Sequence, residues 1–329
     1  SLVTWWVRGY RGVRPATMGG MPIVDRYAPS PTSDLHLGNL RTALAGWLLT
    51  RREEGQWLLR IEDLDAARVR AAGGAAARQL ADLRRLGMIW DGEVVTQSER
   101  LDAYRDALAR LRNRTYECFC TRREIEQAAS APHGDGHRPY PGTCAQLSTV
   151  ERTRRREQRP AAIRIRAEGT RFTVADRFAG DVTGVVDDFV LVRGDGVPAY
   201  NFAAVVDDLH QGVTRITRGA DLLGSAPRQA WLATLLGGRP PSYAHIGLVT
   251  NPAGRRLAKR DGAVALADLL ALGWRIPEVV AELTDSLGLG RHETPEGALA
   301  VMPEPLPDAF CAPVTWAGNG FASSTTTLP

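Results

Sequence analysis

Apolar positions along the chain fall into blocks whose spacing shifts between two periods. Met21 to Val24 form a short apolar run that predicts a strand. A loop rich in proline and serine follows it. Leu40, Leu44, Trp47 and Leu48 then recur at helical spacing. Trp57 to Ile61 predicts a second strand, closed by the acidic turn Glu62-Asp63-Leu64-Asp65. Ala71 to Leu86 predicts one alanine-rich helix with Leu80, Leu83 and Leu86 on a face. Glu99 to Leu111 repeats the helical period through Tyr104, Leu108 and Leu111.

From about residue 116 the pattern changes. Ile163/Ile165 and then Phe172/Val174 alternate as in half-buried strands, after a loop rich in Gly, His and Pro. Asp188 to Arg193 and Ala199 to Val206 predict two strands joined by the hairpin turn Gly194-Asp195-Gly196, with Asp207-Asp208 closing the second. Ala226 to Leu236 predicts a helix with Pro227 near its start, and His245 to Val249 a further strand. Val264 to Leu272 and Pro277 to Leu287 predict a helical pair around Gly273-Trp274. The ends lack any period. Residues 1–21 read as a disordered or mis-started extension, with Met18 or Met21 as the natural beginning, and 291–329 as a disordered tail. Strands alternating with helices predict an α/β fold, with a parallel sheet in two halves (22–115 and 186–257) split by an inserted subdomain (116–185), and a loop with a helical stem (258–290) after it.

Composition narrows the classes. Of 329 residues, 44% are apolar and 24% charged, an ordinary globular balance. No apolar run approaches the ~20 residues that span a bilayer, so no membrane role is expected. The net charge is +4, and no basic residue follows Arg291, so the body of the chain is more basic than the total shows and suits a polyanionic partner. Of the 41 basic residues, one is lysine, Lys259; the other 40 are arginine. A general drift from Lys to Arg leaves a lone lysine as a candidate for work that needs a compact, flexible ammonium.

Four cysteines are present, and Cys118, Cys120 and Cys144 cluster in the insert while Cys311 stands apart. That clustering points to a metal rather than disulfides, and with it to a reducing cytoplasm. Histidines in the same loop, His133 and His137, are conventional fourth ligands.

The loop from Arg26 to Asn39, R-Y-A-P-S-P-T-S-D-L-H-L-G-N, runs from a strand into a helix, the common seat of a nucleotide in α/β proteins. Free N–H groups at the helix start would attract phosphate, His36 could reach it, and Gly38 would let a base approach. Taken alone, the same residues make a good turn.

Taken in order, the motifs resemble a family. A-P-S-P-T-x-x-L-H-x-G-N is similar to the H-I-G-H signature of class I aminoacyl-tRNA synthetases, in the form used by the glutamate branch. R-I-E-D-L-D (60–65), V-V-D-D (205–208), R-G-A-D (218–221) and R-L-A-K-R (256–260), a form of K-M-S-K-S, follow in matching order over residues 22–290. Within that branch the chain resembles the short paralogues that act on queuosine in tRNA(Asp). The helical pair closes the core by about residue 288 without a large anticodon-binding domain, and C-x-C…Y-x-x-x-C is similar to the paralogues' zinc site.

The resemblance implies a Rossmann-type sheet with a zinc-bearing insertion. It implies adenylation of L-glutamate by ATP with Mg²⁺, without need of tRNA, and transfer to the queuosine base at the wobble position of tRNA(Asp) by a cytoplasmic monomer. His36 and Lys259 would be catalytic, and Pro29, His36, Gly38, Asn39 and Lys259 would bind ATP. Arg26, Ala28, Ser30, Glu62, Tyr200 and Arg218 would bind glutamate, and Cys118, Cys120, Tyr140 and Cys144 would hold one structural Zn²⁺. Ser33, Arg256 and Ala258 depart from the family's usual Gly, Lys and Ser. A truncated glutamyl-tRNA synthetase charging the 3′ end, or a non-catalytic RNA-binding paralogue, would share most of these motifs.

Overall fold

The computed structural model describes residues 22–121, 123–125, 140–255, 257 and 264–322. Contacts divide it into two compact units. One holds Ser98–Val213 and Gly224–Ser242; the other holds residues 22–97, Thr214–Leu223 and 243–322.

The second unit is built on a parallel sheet. Strand β1 (Val24–Tyr27) pairs in parallel with β2 (Gln56–Ile61), which pairs in parallel with the short β3 (Val95–Thr96). Helix α1 (Leu37–Arg52) crosses from β1 to β2, and its Leu37, Leu40, Leu44, Leu48 and Leu49 are at most 1% exposed. Strand β9 (Arg215–Gly219) runs along β1. The Ile23 carbonyl accepts from Gln56 at the foot of β2 and the next carbonyl, Val24, from Thr214, so β9 takes the edge of β1 opposite β2. Strand β10 (Ser242–Ile246) lies next to β9.

β1 sits three residues later than the apolar run 21–24 predicts, because Asp25 and Arg26 are polar yet buried. The Asp25 carboxylate, fully buried, accepts from Arg26 N at 2.8 Å, Thr217 N at 3.0 Å, Thr217 Oγ1 at 2.5 Å and Arg215 Nε at 3.1 Å. Arg215 in turn reaches Thr50 Oγ1 and Glu53. A buried carboxylate is tolerable only with such a full set of partners, and here the set staples β1 to β9.

Three further expectations need correction. The predicted helix 71–86 starts late, as α3 (Ala75–Arg85), and Ala71 instead ends a separate helix, α2 (Ala66–Ala71), because Gly73 and Gly74 take φ of +38° and +71° and turn the chain left-handed between the two. The hairpin 188–206 keeps its first strand, β8 (Val190–Val192), and its turn, but the second arm stops at a bridge from Val192 to Pro198. Residues Tyr200–His210 then form a helix, whose Phe202 to Asp208 are all buried. A short continuous apolar run has no period to separate strand from helix. Buried Asp207, inside this helix, accepts from Tyr104 Oη at 2.8 Å and Arg100 Nε at 2.6 Å.

The third correction is the tail. After α8 (Leu266–Ala271) and α9 (Ile276–Ser286), close to the predicted helical pair, the described residues of the tail carry further regular elements. Helix α10 (Pro295–Ala300) is capped by Thr294 Oγ1. Strand β12 (Val314–Trp316) then pairs in parallel with β11 (Val249–Thr250) and antiparallel with β13 (Phe321–Ala322). Its order comes from a neighbouring strand edge and from Trp316, which packs tilted against Trp274 and edge-to-face against Phe321, contacts no local periodicity announces. Fully buried Arg41 of α1 ties the region together by donating to the carbonyls of Gly247, Ser286 and Ala309.

The other unit contains β4 (Thr115–Cys118), β5 (Ala162–Ile165) and β8 as an antiparallel sheet, and the antiparallel pair β6 (Arg171–Asp176) and β7 (Gly180–Val185). It is wider than the predicted insert 116–185 and includes the helix Ala226–Leu235. Residues 1–21, called an extension from sequence, lie outside the described residues. Among the described residues, no helix is long and apolar enough to cross a membrane.

Candidate functional site

Arg26, Ala28, Pro29, Ser30, Glu62 and Arg218 lie at the carboxyl end of a strand or in the loop leaving it, where ligands bind in open parallel sheets, and Gly38 and Asn39 open the helix that follows β1. Arg26 is on β1 and 4% exposed, Ala28 and Ser30 follow it, and buried Pro29 accepts Glu62 N through its carbonyl at 3.0 Å. Glu62 follows β2 and accepts from Arg60 Nη2 at 3.1 Å. Arg218 is on β9, the strand next to that of Arg26. Gln79 of α3, 1% exposed, donates to the carbonyls of Ser30 and Ser33 at 3.1 and 2.7 Å and so fixes the loop between them. Neither Gln79 nor Asp25 was singled out from the sequence; the signal for Asp25 was an acid inside an apolar strand.

His36 occupies the N-cap of α1. Its Nδ1 accepts from the N–H groups of Gly38 at 3.1 Å and Asn39 at 3.4 Å, while Asn39 Oδ1 accepts from His36 N at 3.2 Å. Leu37 N donates to Val264 O, and His36 bridges Ala265. The expected free N–H groups of this helix start are therefore already taken. With Nδ1 accepting, a neutral imidazole carries its proton on Nε2 and presents a donor. Gly38 has a second explanation too. A Cβ there would lie 3.0 Å from His36 Cε1, so the missing side chain makes room for the imidazole itself. Ser33, in the family's glycine position, donates through Oγ to the Asp34 carbonyl.

Tyr200 lies in the other unit, at the first turn of its helix, and is 40% exposed rather than part of a strand core. Lys259, Arg256 and Ala258 lie outside the described residues, as do His133 and His137.

The insert brings its three cysteines together, with sulfurs within 4.8 Å of one another and no disulfide. The Tyr140 hydroxyl joins them, at 3.4 Å from Cys118 Sγ, 3.5 Å from Cys120 Sγ and 2.9 Å from the Cys144 N–H. Burial, then hydrogen bonding of the neutral phenol with Cys118 and Cys120, push the Tyr140 phenol well above its ordinary value. Burial raises the Cys120 thiol to about 11. At Cys144 burial also raises the thiol, but bonds from Phe119 N–H and the neighbouring side chains outweigh it and leave Cys144 below its ordinary value. The Arg164 guanidinium lies 3.7 Å above the Tyr140 ring, and Arg155 Nη1 is 4.0 Å from Cys144 Sγ. Three thiols and a phenol converging beside two cations is a donor set that fits a tetrahedral divalent metal.

Residues 22–293 match the family described as tRNA synthetases class I (E and Q), catalytic domain. The chain belongs to this family. Among curated relatives of the synthetase, it is 59% identical to the glutamyl-Q tRNA(Asp) synthetase of Nocardia farcinica, over 84% of this chain and 88% of that one. The protein of the same name from Cutibacterium acnes is 52% identical over 93% and 86%. Among solved structures, the glutamate-tRNA synthetase of Elizabethkingia anophelis superposes with a TM-score of 0.74 at 25% identity. That match covers 89% of the synthetase and 68% of the solved chain.

Proposed function

We propose that the synthetase activates L-glutamate with ATP and Mg²⁺, without tRNA, and passes the glutamyl group to the queuosine base of tRNA(Asp). The observation that carries this reading is the identity to glutamyl-Q tRNA(Asp) synthetases along nearly their whole length, joined to the family's motifs at the ends of β1, β2 and β9. In adenylation the α-carboxylate of glutamate attacks the α-phosphorus of ATP and pyrophosphate departs, with no covalent enzyme intermediate. Catalysis then consists of positioning and of neutralising charge that builds on phosphate. His36, held as an Nε2–H donor, faces that charge, and Lys259 supplies an ammonium. Pro29, Gly38 and Asn39 shape the ATP side. Arg26, Ala28, Ser30, Glu62 and Arg218 receive glutamate, the two arginines offering rigid forks for carboxylates.

Cys118, Cys120, Tyr140 and Cys144 would hold one structural Zn²⁺, which would supply a cross-link of the insert and favour the deprotonated form of its ligands. Cysteines gathered as a candidate metal site also support a reducing, cytoplasmic setting.

Glutamate-dependent ATP–pyrophosphate exchange without RNA tests the first step. A strict requirement for tRNA would instead mark a glutamyl-tRNA synthetase, and no exchange by folded, zinc-loaded protein would mark a non-catalytic paralogue. For the second step, labelled glutamate should attach to tRNA(Asp) containing queuosine and, after nuclease digestion, stay with the anticodon fragment that carries the queuosine; label on the 3′-terminal fragment would overturn the proposed acceptor.

A further inference from the structure

Arg218 is 5% exposed, and its guanidinium is held from several sides. Nε–H donates to His245 Nε2 at 3.1 Å and Nη2 donates to Leu222 O at 3.0 Å. The Tyr243 ring lies beneath it, 5.3 Å from Cζ to centroid. Tyr243 and His245 are two apart on β10 and therefore share a face, where their rings stack at 5.7 Å and 13°. His245 is fully buried. A guanidinium nitrogen cannot accept a hydrogen bond, so Nε2 of His245 must offer its lone pair, and the single proton of the ring sits on Nδ1.

We propose that His245 is a positioning residue for glutamate recognition: in its neutral Nδ1–H form it aims the Arg218 fork. The reading explains a buried imidazole with no place in the phosphate chemistry. A proton on Nε2 would set hydrogen against hydrogen at the Arg218 contact, and an imidazolium would set cation against cation. Either turns the fork out of its plane over Tyr243. Bidentate recognition of a carboxylate depends on that plane, because both N–H bonds must point at two oxygens at once. ATP makes no use of it, so the effect belongs to the amino acid alone. The proposal rests on the assignment of Arg218 to glutamate.

Calorimetric titration of glutamate and, separately, of ATP into His245→Leu, His245→Gln and Arg218→Ala tests it. His245→Leu removes the acceptor and should weaken glutamate binding by about tenfold or more while leaving ATP affinity unchanged. In His245→Gln the side-chain Oε1 can accept in place of Nε2, and most of the glutamate affinity should return. Unchanged glutamate affinity in His245→Leu, or equal losses for both ligands in both variants, overturns the proposal. Arg218→Ala separates the two layers: if it leaves glutamate binding intact, the assignment of Arg218 itself is wrong. Should His245→Leu not fold, nitrogen-15 spectra of the native protein decide, since Nε2 of His245 must resonate as an unprotonated ring nitrogen. A protonated Nε2 overturns the proposal.

Discussion

His36 does two things with one ring: Nδ1 closes the start of α1, which places the ring's proton on Nε2. The two can be separated. Asparagine is as good an N-cap as any residue, so His36→Asn should hold stability within a few tenths of a kcal/mol in urea melts. Without the Nε2–H, glutamate-dependent exchange should fall by about 10²–10³. Gly38→Ala works the other way, keeping the imidazole but pushing it aside from 3.0 Å, and should cost about 10² in exchange rate with the melting curve little changed. Asp25→Ala takes from buried Arg215 its fully buried carboxylate, leaving it Thr50 and the more exposed Glu53, and should lose about 3 kcal/mol of stability. At this scale the sequence was informative about motif residues, because types such as His36 and Arg218 keep the family's register. It was silent about Gln79 and His245, whose importance lies in what they touch from another element.

Elements were legible where the period was local and lost where a distant partner replaced it. α1, β2 and the helical pair α8–α9 follow their apolar spacing. β1 was misplaced because its buried charges are answered by β9, and β12 was missed because the edge of β11 orders it. Tyr200 was placed in a strand because an apolar run of five residues fits both states. The insert's elements are short, and its cysteine cluster offers them a cross-link. Removing zinc with a chelator should lower stability by about 4 kcal/mol relative to a thousandfold excess over Kd, read as a fall in the unfolding midpoint with one zinc released per chain. Cys120→Ser should bind zinc more weakly in the same titration.

Across the whole molecule, forty arginines and a net charge of +4 bear on the RNA step more than on adenylation. Raising salt from 50 to 200 mM should weaken transfer to tRNA about tenfold or more, with exchange far less affected. One more consequence lies in the order of the strands. The catalytic sheet joins β1 to β9, with partners such as Val24 and Thr214 separated by 190 positions, and β12 then joins β11. Most of the other unit, Ser98–Val213, is continuous in sequence. On the ribosome the stretch Ser98–Val213 can therefore begin to fold while β1 still waits for β9, and the helix Ala226–Leu235 joins it only after β9 has emerged. The seat of Arg41 is finished only when Ala309 has emerged, and the edge of β11 only with Val314. Competence to form glutamyl-adenylate thus arrives late in synthesis, all at once, after the cysteine cluster has already had the chance to capture its metal.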